Sequence, residues 1–144
     1  MRSLAFPFLL ALALPAAAAE FRSIAENGTP MYDAPSVRAK KLFVASRYYP
    51  VEVVINIDSW LKVRDQAGDL AWVEKKTLSD KRTVIVTAAV AEVRQAADEK
   101  AALVFRAQQG VALDVAEPPA DGWIKVRHVD GHTGYVKINQ VWGI

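Results

Sequence analysis

A fourteen-residue stretch occurs twice in this 144-residue chain, and the repeat limits what the chain can fold into more than any other feature. The first copy runs from Trp60 through Lys62-Val63-Arg64, Gly68 and Trp72 to Val73. The second runs from Trp123 through Lys125-Val126-Arg127, Gly131 and Tyr135 to Val136. Six of the fourteen positions are identical, at a constant offset of 63 with no gap. Leu61/Ile124, Ala71/Gly134 and Trp72/Tyr135 keep their size class or aromatic character. Self-similarity of this length implies two similar small structural units.

Before each turn the apolar residues alternate, with Leu61 and Val63 on one face of a strand and Trp60, Lys62 and Arg64 on the other, as period-two burial requires. Gln66-Ala67-Gly68 and Val129-Asp130-Gly131 fit three-residue hairpin loops. Such a loop is a type I turn closed by a left-handed residue, a conformation glycine adopts at least cost. The register follows: Leu61 faces Val73, Lys62 faces Trp72 and Asp65 faces Asp69, while Ile124 faces Val136, Lys125 faces Tyr135 and His128 faces His132. The aliphatic pairs predict a core face. The opposite face sets a lysine against an aromatic ring in both copies, which predicts a cation–π contact. That face has two readings: a cover for its own small barrel under lysine stems, or a ligand surface, since large aromatics beside cations typify recognition patches.

Tryptophan followed by Lys-Val-Arg, a short glycine turn and a small residue, aromatic, valine step resembles the bacterial SH3 (Src homology 3) domain family, in both halves. Met31-Tyr32-Asp33-Ala34-Pro35 resembles the family's opening strand and proline-containing loop, Glu92 to Ala97 is similar in the second half, and Trp142-Gly143 resembles the end of secreted tandem members. Two positions depart from the pattern: Ala71 stands where the family usually has glycine, and the second half lacks the loop proline. The resemblance implies an all-β fold of two tandem SH3-like small β-barrels. It also implies a non-catalytic module of the cell envelope that contacts peptidoglycan or peptides.

Met1, Arg2 and Ser3 lead into an apolar run from Leu4 to Leu14, followed by Ala17-Ala18-Ala19. This reads as a cleavable signal peptide over residues 1–19, too short to span a bilayer as a helix. It predicts a periplasmic or secreted protein with no transmembrane segment after cleavage. Without any cysteine, a lipid-modified cysteine anchor and a disulfide framework are both excluded. Residues 20–144 carry 17 basic and 16 acidic side chains, a balance that argues against nucleic acid as a partner. The outward face of the second hairpin is locally basic, with Lys125, Arg127 and Lys137 and no acid at the same parity, a face able to hold an anion.

The repeat divides the remainder into a first unit at 20–80 and a second at 81–144. Each is marginal alone. They are therefore expected to pack on each other through Thr83-Val84-Ile85-Val86-Thr87, a β-branched run that reads as a strand buried on both sides. Glu20 to Gly28 reads as a lead-in with a turn at Asn27-Gly28. Strands are expected at 41–46 and at 50–57, the latter alternating Val51, Val53 and Ile55 against Glu52, Val54 and Asn56, and again at 101–106 and 110–115. The stretch 88–102 has helical propensity, but its alignment with Met31 to Pro35 makes it strand and loop.

Catalysis has little to draw on. Thiol chemistry is absent, the only histidines, His128 and His132, sit at a hairpin tip with no serine in that half, and no phosphate loop is present. No cofactor is implied. His128 and His132 with Asp130 between them make a possible metal pair, but a structural zinc normally needs four ligands, and the equivalent residues Asp65 and Asp69 make the tip look like a variable polar turn. The candidate ligand-contacting residues are Tyr48 and Tyr49, which precede Pro50 in a turn, with Trp60, Lys62, Trp72, Trp123, Lys125 and Tyr135. Against the binding-module reading stands a structural or accessory subunit mediating protein–protein contact in an envelope complex or with a cell-wall hydrolase.

Overall fold

The structure, a computed structural model, describes residues 19–144. The signal-peptide reading falls on residues that, up to position 18, lie outside the described ones. Among the described residues no helix is long and apolar enough to cross a membrane. The described residues are all-β and form two seven-stranded antiparallel sheets.

The first sheet contains β1 (Phe21–Ile24), β2 (Thr29–Tyr32), β3 (Lys41–Ala45), β4 (Pro50–Ile57), β5 (Trp60–Arg64), β6 (Leu70–Glu74) and β7 (Leu78–Ser79). The second contains β8 (Thr83–Val86), β9 (Val90–Arg94), β10 (Leu103–Gln108), β11 (Ala112–Val115), β12 (Trp123–Arg127), β13 (Thr133–Lys137) and β14 (Val141–Trp142). Spatial order is β3-β2-β6-β5-β4-β1-β7 in one and β10-β9-β13-β12-β11-β8-β14 in the other, so the connectivity repeats strand for strand.

The hairpins have the expected register. Leu61 pairs with Val73 and Lys62 with Trp72, as Ile124 does with Val136 and Lys125 with Tyr135. Their loops close as expected, with the Gly68 amide donating to Asp65 O at 3.0 Å and the Gly131 amide to His128 O at 2.9 Å. Both glycines are left-handed, at φ 88° and 94°. Leu61, Val63 and Val73 are buried in one core and Ile124, Val126 and Val136 in the other.

Several boundaries differ from the expectation. The lead-in contains a strand, β1, which pairs with β4 and β7 and is the first-sheet counterpart of the connector strand β8. Residues 88–102 do form a strand followed by a loop, while the strands expected at 101–106 and 110–115 start two residues later. A bulge between Val53 and Ile55 breaks the alternation in β4 and leaves Val54, Ile55 and Ile57 exposed.

Strand β8 is buried along its length, as expected. Val84 and Val86 join the second core. At the other parity, Thr83 Oγ1 donates to the Tyr48 carbonyl of the first sheet at 2.6 Å. Ser23 Oγ on β1 donates to Lys81 O at 2.8 Å, and the Phe21 and Trp142 rings meet edge to face at 5.2 Å between centroids. A buried hydroxyl needs a partner, and Ser23 and Thr83 find theirs across this seam.

The departure at Ala71 has a packing reason. At Gly134, its counterpart, a Cβ would lie 2.6 Å from both the Arg94 carbonyl oxygen and Val93 Cγ1. In the first sheet the residue at Val93's place is Met31, unbranched at Cβ and adaptable, and Ala71 is buried beside it in the same core. Gly134→Ala should therefore destabilise the protein by about 1–3 kcal/mol, the usual range for overpacking a core. Urea unfolding followed by tryptophan fluorescence measures this, and an unchanged midpoint would contradict the packing argument.

Candidate functional site

The sequence-derived candidates fall in four places. Trp60, Lys62 and Trp72 lie on the outward face of the first hairpin and Trp123, Lys125 and Tyr135 on that of the second, all half-buried. Lys62 Nζ lies 6.0 Å from the Trp72 ring centroid and Lys125 Nζ 5.8 Å from that of Tyr135, so the cation–π expectation holds in both copies. Tyr48 sits at the seam with a left-handed backbone, φ 72°, and Arg47 and Lys81 lie 4.8 and 4.9 Å from its ring centroid. The Tyr49 hydroxyl accepts the Gln66 amide at 3.2 Å and so props the first hairpin turn. Burial raises its pKa, opposed by that hydrogen bond and aided by Asp65 and Asp69.

The two hairpin faces look alike in sequence but have different surroundings. In the first, Tyr32 on β2 packs edge to face on Trp60, centroids 5.6 Å apart, and is itself buried. In the second, Arg94 holds the place of Tyr32, since Arg94 pairs with Tyr135 as Tyr32 pairs with Trp72. Losing that ring leaves a cleft of about 270 Å³ beside Trp123, lined by Glu92, Arg94, Glu99, Trp123, Lys137 and Gln140. Lys137 Nζ lies 5.9 Å from the Trp123 ring centroid and also pairs with Glu99. Arg94 pairs with Glu92 and donates to Ala101 O at 2.9 Å.

This cleft is an indole wall surrounded by two cations and two carboxylates in alternating pairs. The hydrogen bond from Lys137 holds the Glu99 carboxyl below its ordinary range, so it stays ionised and suits charge pairing rather than proton donation near neutral pH. Such a lining matches a ligand that carries both a carboxylate and an ammonium group beside an apolar stem. The basic face read from sequence is compensated in part from outside its own hairpin: Lys125 pairs with Glu117 at 3.2 Å and Lys137 with Glu99, while Arg127 makes no salt bridge among the described residues. Parity along one hairpin could not reveal acids brought in by loops. Of the cleft residues the sequence singles out Trp123 as a ligand contact and Lys137 as part of the basic face; the signal for the rest is the substitution of Arg94 for Tyr32 between aligned repeats.

At the second hairpin tip, His128 Nδ1 and His132 Nδ1 lie 3.2 and 3.0 Å from the same oxygen of Asp130. Both Nδ1 atoms are thus turned towards one carboxylate. Among the described residues no group of three or more His, Cys, Asp or Glu is arranged to hold a metal ion.

Repeated seven-stranded units with one connectivity define a tandem small-barrel module. The family model described as "Bacterial SH3 domain" matches residues 25–80 and 87–143, and the chain belongs to that family. A search of the curated proteins gives no match. Among solved structures, NlpC2 from Trichomonas vaginalis is similar at 13% identity and TM-score 0.39, over 87% of this chain and 48% of that one. NlpC1 from Trichomonas vaginalis is similar at 14% identity and TM-score 0.37, over 95% of this chain and 50% of that one. The chain spans about half the length of these two structures.

The backbone N–H of His132, ahead of the two imidazoles, lowers the Asp130 pKa from 3.8 to about 2. A folded-state pKa below the unfolded one means that protonation favours the open turn. The contribution is complete above about pH 4 and is lost as pH falls through about 2. Carbon-detected NMR titration should place the Asp130 midpoint near 2. In a His128→Ala/His132→Ala double variant the midpoint should rise only part of the way, because the backbone donor remains; a return to the full ordinary value would contradict that ranking.

Proposed function

We propose that this chain is an exported, non-catalytic binding module of the bacterial cell envelope that holds peptidoglycan or a peptide segment. Membership of the bacterial SH3 family supports the module reading, since such domains are typically non-catalytic binding units. The observation that carries the ligand class is the cleft beside Trp123, where Arg94 replaces an aromatic ring and paired charges surround an indole. The peptide stems of peptidoglycan offer the matching chemistry of carboxylates, amines and short apolar side chains. Trp123 makes the principal contact together with Arg94 and Lys137 of the cleft, and Lys125 and Tyr135 continue the same face of the hairpin. Trp60, Lys62 and Trp72 supply a weaker second one, and two linked weak contacts gain from effective concentration. On this reading residues 20–80 and 81–144 are the two units, and the protein works in the periplasm or outside the cell.

Cosedimentation with purified peptidoglycan across a salt series tests the reading. Saturable binding should weaken with salt as exposed charges are screened. Trp123→Ala should reduce affinity at least about tenfold, as expected when a central aromatic anchor is truncated, while Trp60→Ala has a smaller effect on binding. Absence of pelleting at low salt, or an unchanged affinity in Trp123→Ala, would overturn the proposal.

A further inference from the structure

The outer edges of the two sheets are built from equivalent strands but are protected differently. Strand β3 ends the first sheet and β10 ends the second, so each has one side without a strand partner among the described residues. Both carry a bulge near the start of the strand. On β10 the position after Phe105 is Arg106, whose guanidinium lies 3.7 Å from Glu92. A charge there is a usual defence of an open edge against pairing with another chain. On β3 the same position is Val44, 69% exposed, and its neighbours Leu42 and Phe43 are 39% and 42% exposed. Three consecutive apolar residues thus face solvent on an open edge, and no charge interrupts them.

Charge selects the occupant. Arg38, Lys40 and Lys41 lead into the strand and Arg47 leads out of it, and none of the four makes a salt bridge among the described residues. Two acids stand near. Asp33 accepts the Lys40 amide, and Asp65 accepts the Ala67 and Asp69 amides of its own turn. Beside the strand a cleft of about 240 Å³, lined in part by Met31, Phe43, Val44, Tyr49 and Asp65, offers room for one side chain. A second copy of the chain is a poor occupant, because antiparallel pairing of β3 with itself brings two sets of four cations together and residues 38–47 contain no carboxylate to offset them. A partner with acidic ends gains complementarity at both.

We propose that β3 is a docking edge for an extended segment of a partner protein, apolar at its centre and acidic at both ends, which adds to the first sheet as a further strand. Backbone hydrogen bonds to the edge supply affinity and the flanking cations supply selectivity. The surface lies on the first sheet and does not depend on the cleft beside Trp123.

The test uses a synthetic peptide, Val-Phe-Val flanked at each end by Glu-Glu, and its counterpart flanked by Lys-Lys, each titrated into the isotopically labelled protein by NMR. The expected result is amide shifts centred on Leu42 to Ala45, with the acidic peptide binding at least about tenfold more tightly. Val44→Lys, which places on β3 a cation like that of β10, should abolish those shifts and leave the rest of the spectrum and the peptidoglycan assay unchanged. Equal binding of the two peptides, retention of binding in Val44→Lys, or no shift at about 1 mM acidic peptide would overturn the proposal. So would a dimer in analytical ultracentrifugation that Val44→Lys dissolves, which would make a second copy the occupant.

Discussion

Everything in the molecule depends on burying the connector strand β8 from both sides. Val84 and Val86 complete the second core, while Thr83 reaches across to the Tyr48 carbonyl. A hydrogen bond of this kind contributes only about 1 kcal/mol net, but leaving either buried partner unpaired costs more. Ser23 repeats the arrangement from the other side by donating to Lys81 O. The Phe21–Trp142 contact and the Arg82 guanidinium, 5.4 Å from the Phe21 ring centroid, close the remaining apolar area. Two units of about 60 residues, each with a small core of its own, are thereby joined along one seam.

A shared frame lets the surfaces diverge. Where the first unit buries Tyr32 against Trp60, the second has Arg94 and a charged cleft. At the edge the relation is reversed, with Val44 exposed in the first unit and Arg106 charged in the second. The exchange at Val44 lies on the surface, and the exchange at Tyr32 replaces a buried ring outside the main apolar cluster. Most core changes keep apolar character, as Leu61 against Ile124 does, and Met31 with Ala71 stands against Val93 with Gly134. Duplication followed by surface divergence accounts for a protein whose halves have one connectivity and two different faces.

Short-range features were legible in the sequence because their physics is local. Alternation and a glycine turn fix the register of a hairpin, so the pairs Lys62–Trp72 and Lys125–Tyr135 followed by counting. The burial of Thr83 to Val86 followed from its β-branched run. Strand β1 was missed because Phe21-Arg22-Ser23-Ile24 carries two polar residues, and Ser23 is buried only because the seam supplies its acceptor. The cleft beside Trp123 draws on three separate segments, around residues 92–99, at 123 and at 137–140. No spacing rule brings these together. The compensation of Lys125 and Lys137 by Glu117 and Glu99 was hidden for the same reason.

Native-state hydrogen exchange tests most directly whether the two repeats form one frame. The amides of Val63 and Val126, each in the centre of its own core, report on the two units separately. If the seam fuses them, both exchange through the same global opening, with equal free energies and equal denaturant dependence. If Val126 exchanges through an opening that leaves Val63 protected, or the reverse, the units fold independently and the account of the seam is wrong.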